Sequence, residues 1–113
     1  LELLLRAGVT TVAEAAFQDR VWRPRLEMLR EVAALRIVHC LVHADTASLR
    51  IRRRWQEEPC RRAHADVQDA AEHVASHAGF DRVAVNAPWL EVDTTGGYRP
   101  GLAEIVAFVN RPG

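Results

Sequence analysis

The stretch Leu35–Trp55, LRIVHCLVHADTASLRIRRRW, predicts a strand that runs through a short turn into a helix. Residues Leu35–Val42 are nearly continuously apolar and rich in Ile, Val and Leu, which is typical of a strand covered on both faces. Asp45 and Thr46 follow, and either side chain can accept the free backbone N–H groups at a helix N-terminus. The stretch therefore predicts the strand-then-helix unit of an α/β sheet.

The predicted helix carries two kinds of side chain on neighbouring faces. Its apolar stripe consists of side chains four residues apart, Ala47, Ile51 and Trp55. Its flank carries guanidinium groups three and four residues apart, Arg50, Arg53 and Arg54. A guanidinium group offers a planar fork of N–H donors that matches phosphate oxygens, so this unit is typical of a phosphate-holding site.

Composition bounds the class of protein. The 113 residues suit one domain or part of one, and a hydrophobic content of 49% is enough for a core. Fifteen basic and fifteen acidic residues cancel, which does not favour binding to nucleic acid or membranes through net charge. No apolar run approaches the roughly 20 residues that cross a bilayer, and no signal peptide opens the chain. We therefore predict a cytoplasmic protein with no membrane association.

The two cysteines, Cys40 and Cys60, do not predict a disulfide framework, and Cys40 is expected to be a small buried residue of the strand. Histidine and cysteine pairs at chelating spacing occur at His39/His43, Cys60/His64 and His73/His77. No third ligand follows any pair at a recognisable spacing, so we predict no metal site.

The first residues, LELLLRAG, resemble the last turns of a helix, with Gly8 in the position that follows a helix C-terminus. A chain that begins partway through an element is expected to be a fragment. Val9–Phe17 has a β-branched start and predicts a second buried strand. Gln18–Pro24 predicts a polar turn, and Pro24–Leu35 a helix with Leu26, Leu29 and Ala33 at helical spacing.

The remaining elements continue the alternation of helix and strand. Pro59 predicts the end of the arginine helix at or before Glu58, and His64–His77 predicts an amphipathic helix. Phe80–Val85 is compatible with a short strand or a loop, and Trp89–Val92 predicts a third strand before a turn. Pro100 starts the final helix, whose predicted core face is Leu102, Ile105, Val106 and Val109. The order predicts a parallel sheet with helices on both faces.

Three segments together resemble the P-loop kinase-like proteins, which include gluconate kinases, chloramphenicol phosphotransferase and the zeta toxins. They are TTVAEAAF, IVHCLVHADTASLRIRRR and LEVDTTGGYRPGLAEIVAFV. In the second segment, Arg50 and Arg54 are similar to the lid arginines of that group. The third resembles the closing strand, the nucleotide-side loop and the last helix.

One element of the family is missing from the sequence. Its defining phosphate loop, G-x-x-x-x-G-K-[ST], needs a lysine, and all fifteen basic residues here are arginine. The resemblance therefore implies that residues 1–113 are the C-terminal part of a single P-loop kinase-like domain. Its fold would be a three-layer parallel sheet that lacks the first strand and the phosphate loop, with an arginine-rich lid at about 46–65. The missing strand would lie between the strands predicted at Val9–Phe17 and Leu35–Val42.

The resemblance also implies roles for individual residues. In the complete form, Arg50 and Arg53 would contact ATP, and Arg54 would stabilise charge on the transferring phosphoryl group. Glu14 would orient Mg²⁺ through water or accept the proton of the substrate hydroxyl. The nucleotide side would be lined by Asp93, Thr94 and Thr95. The complete form would transfer the γ-phosphoryl group of ATP to a small-molecule hydroxyl, whereas this chain alone is expected to be inactive.

Simpler interpretations of the same residues remain open. An arginine-rich helix face is often only solvated, or pairs with acids such as Glu57 and Glu58. Glu14 fits a turn, and the residue types at 93–97 already suit a plain strand-to-helix turn.

Two other functions compete with nucleotide binding. The chain is alternatively a non-enzymatic regulatory module that binds a protein partner, or forms a homodimer, through exposed apolar surface. It is alternatively a nucleic-acid binder through the segment RIRRRW, although neutral net charge and the lack of lysine count against that interpretation.

Overall fold

The computed structural model describes residues 1–60 and 81–112, which form two compact units. The core unit comprises Leu1–His39, Asp81–Val92 and Pro100–Gly113, and the Arg-helix unit comprises Cys40–Phe80 and Asp93–Arg99. The described elements, in chain order, are α1 (Glu2–Arg6), α2 (Asp19–Leu29), β1 (Ile37–Leu41), α3 (Ala44–Glu57), β2 (Trp89–Asp93) and α4 (Leu102–Val109).

The strands β1 and β2 form a two-stranded sheet. The Ile37 amide donates to the Pro88 carbonyl at 3.0 Å, and the Thr94 amide donates to the Leu41 carbonyl at 2.7 Å. Because the paired residue numbers rise together along both segments, the strands are parallel. The predicted class, mixed helix and strand with parallel pairing, is therefore confirmed, and so are the strands predicted at 35–42 and 89–92.

The predicted strand Val9–Phe17 is wrong. The segment is irregular, and Val12 is 94% exposed. Its backbone bonds are local, as in the 3.0 Å bond from the Phe17 amide to the Ala15 carbonyl. A run of apolar residues forms a strand only beside a partner, and no described strand pairs with this one.

The predicted turn at 18–24 is also wrong, because α2 already begins at Asp19. The helix then ends at Leu29, six residues before the predicted end at Leu35. The apolar stripe starts earlier than expected, since Trp22 lies four residues before the buried Leu26 and seven before the buried Leu29. Pro24 consequently lies inside the helix rather than at its start. The predicted burial of Leu26 and Leu29 is confirmed.

Within the stretch Leu35–Trp55, the burial of β1 and the N-cap of α3 differ from the prediction. The residues of β1 are half-buried and Cys40 is exposed, so neither the covered strand nor the buried cysteine was predicted correctly. The N-cap of α3 is His43 without a side-chain cap, so Asp45 and Thr46 lie in the first turn of the helix. The end of α3 at Glu57, ahead of Pro59, is confirmed.

The core lies between α2 and residues 83–85. The buried side chains Val83 and Val85 form one cluster with Leu26 and Leu29. Phe17 and Trp22 pack against this cluster, with ring centroids 5.0 Å apart in an edge-on arrangement. Residues 81–85 are not part of a named strand and contribute only an isolated bridge between Arg82 and Gln18.

Two carboxylates of α2 hold this segment by its backbone. The Ala84 amide donates to Asp19 Oδ1 at 2.7 Å, and the Asn86 amide donates to Glu27 Oε1 at 2.9 Å. Asp19 is 5% exposed and is paired with Arg23. The pKa of Glu27 lies below its ordinary value, first because of the Asn86 amide and then because of Arg30. The carboxylates of Asp19 and Glu27 thus accept backbone amides that a neighbouring strand would otherwise accept through its carbonyl groups.

The final helix begins and ends close to the predicted positions, but a different face is buried. Phe108 is the buried residue of α4, whereas three residues of the predicted core face are exposed: Leu102 (63%), Val106 (49%) and Val109 (49%). Phe108 is the only aromatic side chain of α4, and its burial turns the aliphatic face outward. The assignment of Leu102, Val106 and Val109 to the core was therefore wrong.

At the N-terminus, α1 is confirmed, and Gly8 adopts the positive φ of 76° expected after a helix end. The helix predicted at 64–77 and the connection after residue 60 lie outside the described residues. Within residues 1–60 and 81–112, no helix combines the length and apolar character needed to cross a bilayer.

Replacing Asp19 by alanine should destabilise the protein. The Ala84 amide would lose its charged acceptor, and the α2 N-terminus would lose a buried negative charge. We expect the free energy of unfolding to fall by roughly 2–3 kcal/mol in urea denaturation. The control is Glu2→Ala, which removes an acid from an exposed Glu–Arg pair of the same spacing. It should cost less than about 0.5 kcal/mol. Equal losses for the two variants would contradict the role of Asp19.

Candidate functional site

Four of the seven predicted site residues lie together in the Arg-helix unit. Arg50 Nη2 donates to the carbonyl oxygens of Thr94 and Thr95, at 2.6 and 3.1 Å. Asp93 belongs to the same turn, since its Oδ1 accepts the Thr95 amide at 2.8 Å. We call the group Arg50, Asp93, Thr94 and Thr95 the Arg50 site.

The turn that carries the Arg50 site is closed on itself. Asp93 and Arg99 exchange two backbone hydrogen bonds, of 2.8 and 3.0 Å, and so form an antiparallel bridge around residues 94–98. Gly97 has a φ of 111°, a conformation that a side chain would disfavour. The predicted turn at 93–97 is confirmed. Its backbone is held by local hydrogen bonds that do not involve Arg50.

The turn is also bonded to the end of β1 and the start of α3. The Thr94 amide and hydroxyl both donate to the Leu41 carbonyl, at 2.7 and 2.8 Å. Thr95 Oγ1 accepts the amide of His43, the N-cap of α3, at 3.1 Å. The Arg50 site therefore lies at the carboxyl ends of both parallel strands, beside the positive end of a helix.

The charge state of Asp93 follows from the same contacts. The Thr95 amide and then the Thr95 hydroxyl lower the pKa of Asp93, with smaller electrostatic contributions from His43 and Arg99. Asp93 is therefore a carboxylate at neutral pH. Its hydrogen bond to Thr95 gives it a structural part in shaping the turn.

The other predicted residues are not part of this group. Arg53 pairs with Glu57 at 2.9 Å on the exposed side of α3, as the simpler interpretation of the arginine face expected. Arg54 is exposed and makes no side-chain hydrogen bond within residues 1–60 and 81–112. Glu14 lies on the irregular segment of the core unit, where it is exposed.

Sequence reasoning missed the contribution of His43. Its position between the last residue of a strand and the first residue of a helix was a usable signal, because amides there lack an intrahelical acceptor. The bonds from Arg50 to main-chain carbonyls had no sequence signal, since they depend on how residues 94 and 95 are folded.

The chemistry of the Arg50 site fits an anion. Arg50 uses Nη2 for its two carbonyl bonds, and its Nε and Nη1 make no hydrogen bond to the part of the chain that the structure describes. A guanidinium group beside a helix N-terminus attracts phosphate or carboxylate. No group of three potential metal ligands exists within the described ranges, and the one carboxylate here already accepts the Thr95 amide. The residues present therefore fit a phosphate group, and they do not form a ready-made Mg²⁺ site.

Comparison with known proteins adds no relative: no protein-family model, no curated protein and no solved structure matches this chain.

Replacing Thr95 by alanine should raise the pKa of Asp93 part of the way to its ordinary value. The variant loses the hydroxyl bond but keeps the amide bond, which is the larger cause of the lowered pKa. Carboxyl carbon NMR across an acid titration measures the change. The control is Thr94→Ala, because the Thr94 hydroxyl bonds to Leu41 instead. If Thr94→Ala raises the pKa of Asp93 as much as Thr95→Ala does, the assignment is wrong.

Proposed function

We propose that the chain is the C-terminal part of a P-loop kinase-like ATP-binding domain, in which the Arg50 site binds nucleotide phosphate. The supporting observation is the contact of Arg50 with Thr94 and Thr95 beyond the carboxyl ends of two parallel strands. Ligands of open parallel α/β sheets bind in the crevice at that edge. On this proposal the two described strands belong to a three-layer parallel sheet whose first strand and phosphate loop are supplied by another segment.

The spacing of Arg50 and Arg54 on α3 would let both side chains reach one phosphate chain. Arg54 follows Arg50 by one turn of the helix, so the two side chains share a flank. Arg50 is fixed by its carbonyl contacts, whereas Arg54 is exposed and makes no side-chain hydrogen bond to any residue that the structure describes. Under this proposal Arg50 positions the β- and γ-phosphates and Arg54 stabilises charge that develops during transfer. Arg53 has a secondary part, because its pairing with Glu57 competes with ligand.

The remaining roles belong to the complete form. Glu14 would act on Mg²⁺ through water, or on the acceptor hydroxyl as a general base. Asp93, Thr94 and Thr95 would line the nucleotide through their backbone. Bound Mg-ATP would supply the transferable phosphoryl group, and the acceptor would be a small-molecule hydroxyl. The chain has no lysine to contact the β- and γ-phosphates, so alone it should bind ATP weakly and transfer nothing.

A test of this proposal is a titration with ATP without Mg²⁺, followed by amide NMR. We expect shifts at Arg50 and at residues 94–97, with a dissociation constant on the order of 1 mM, typical of a few exposed charged contacts. Adenosine, which lacks phosphates, should give no shifts there. Arg54→Ala should weaken ATP binding about threefold to tenfold, since it removes one charge-assisted contact.

The matched control is Arg52→Ala. Arg52 is exposed on the same helix but lies two residues from both Arg50 and Arg54, so it does not share their face. It should leave ATP binding unchanged. Equal effects of the two variants, or no shifts with ATP at about 10 mM, would refute phosphate binding at the Arg50 site. Micromolar affinity would refute the need for a separate phosphate loop.

A second candidate function, a homodimerising module, is favoured by the exposed face of α4. Leu102, Val106 and Val109 are each about half exposed or more and form an uncharged stripe. A face without charge is compatible with a copy of itself across a two-fold axis. Such a dimer would pair the α4 helices of two chains.

Replacing Val106 by glutamate should prevent this association. Two carboxylates would meet near the two-fold axis. The free energy needed to bury them would exceed the free energy gained from the apolar contacts that remain. Sedimentation equilibrium measures the dimer fraction. The control is Val12→Glu, because Val12 is 94% exposed outside α4. A monomer at all concentrations, or equal loss of dimer in both variants, would exclude the α4 interface.

A further inference from the structure

A basic depression lies in the core unit and is lined by none of the residues of the Arg50 site. It has a volume of about 410 Å³ and an apolar floor that includes Leu35, Ala87 and Phe108. Its charged lining consists of three guanidinium groups, Arg30, Arg36 and Arg111, and no acidic side chain lines it in the described part of the chain. We call this feature the Arg36 depression.

The three arginines are in different states. Arg30 is bonded to Glu27 at 2.6 Å, so its charge is largely matched. Arg36 lies over the Phe108 ring, with its guanidinium carbon 6.0 Å from the ring centroid, and donates to the Arg111 carbonyl. The Arg111 guanidinium makes no hydrogen bond or ion pair within residues 1–60 and 81–112. Two positive charges therefore border this depression without a matching acid.

The shape of the depression complements its charge. The Phe108 ring and the Pro88 ring both line it, and the guanidinium of Arg36 is held over Phe108. Apolar side chains beside a planar guanidinium group favour a ligand with a flat apolar body, because arginine stacks on aromatic rings. A second depression of about 670 Å³ shares Ala87, Pro88, Phe108 and Arg111 but is also lined by the acid Glu104, so only the uncharged end of a ligand suits that side.

We propose that the Arg36 depression binds a small aromatic carboxylate. The carboxylate would accept donors from Arg36 and Arg111, whose forked N–H groups match its two oxygens. The aromatic body would lie on the apolar floor beside Phe108. A volume of 410 Å³ falls within the range of pockets that take small organic ligands, and it is larger than an inorganic anion fills. This site lies in the core unit and is independent of phosphate binding by Arg50.

The test uses 1-naphthoate as the probe and 1-naphthamide as its uncharged counterpart. In amide NMR titrations of the 113-residue chain, naphthoate should shift residues 33–36, 86–87 and 108–111. Its dissociation constant should be about 1 mM or lower, and the amide should bind at least about tenfold more weakly, because it cannot form charge-assisted bonds. Acetate, which lacks the aromatic body, should give no saturable shifts.

Two variants locate the charge that matters. Arg111→Ala removes the unpaired guanidinium and should weaken naphthoate binding about tenfold without affecting Phe108. Arg36→Lys keeps the positive charge but loses the planar fork, and should also weaken binding. The control is Arg25→Ala, because Arg25 is the comparable arginine of the core unit. Its guanidinium carbon lies 5.8 Å from the Trp22 ring centroid, away from the depression.

Each outcome decides the proposal. Naphthoate shifts at the stated residues, lost in Arg111→Ala and kept in Arg25→Ala, support it. Equal binding of naphthoate and naphthamide would show that the arginines do not recognise the charge, and would overturn it. Shifts elsewhere in the chain, or the same affinity in Arg111→Ala and the unmodified chain, would overturn it as well. The urea midpoint of each variant separates lost binding from lost folding.

Discussion

The Asp19 carboxylate is the contact on which the core unit depends. It joins the first turn of α2 to the Ala84 amide, 65 positions further along the sequence. This bond brings Val83 and Val85 onto Leu26 and Leu29, and so creates the buried cluster. A buried acid is costly unless its oxygens are bonded, and Asp19 is compensated by Arg23 and by the backbone. Without this contact, residues 81–85 would be held on the helix only by the bridge between Gln18 and Arg82, the Asn86–Glu27 bond and the packing of their valines.

A similar use of side chains in place of a wider sheet recurs in the Arg-helix unit. The Arg-helix unit holds its turn through Thr94 at Leu41, Thr95 at His43 and Arg50 at two carbonyls. A parallel pair of strands supplies few backbone bonds of its own, so loops at its carboxyl edge need other partners. The backbone of the turn is therefore held by the same residues that make up the Arg50 site.

The sequence correctly predicted those helices and strands whose ends are marked by nearby residues such as Gly and Pro, or by a continuous apolar run. Gly8 ends α1, Pro59 follows the end of α3, and the run 35–42 contains β1. It failed where the outcome depends on distant partners. The segment 9–17 has strand composition but no described partner, and the aliphatic face of α4 is exposed because Phe108 takes the buried position. For the candidate site, the sequence predicted Arg50, Asp93, Thr94 and Thr95. Their mutual contacts and the part of His43 could not be predicted, because they join residues more than 40 positions apart.

The complete absence of lysine explains how this chain uses positive charge. Lysine ends in a compact ammonium group, while arginine ends in a plane that can both stack and donate at its edges. Here Arg25 lies over Trp22, Arg36 lies over Phe108 while donating to a carbonyl, and Arg50 joins two carbonyls of one turn. The arrangement at Arg36 depends on arginine most directly, because one planar group both covers a ring and donates at its edge. Guanidinium groups are thus part of the folded framework as well as its source of positive charge, and the two proposals of anion binding, at Arg50 and at Arg111, both start from arginines whose surroundings are set by these contacts.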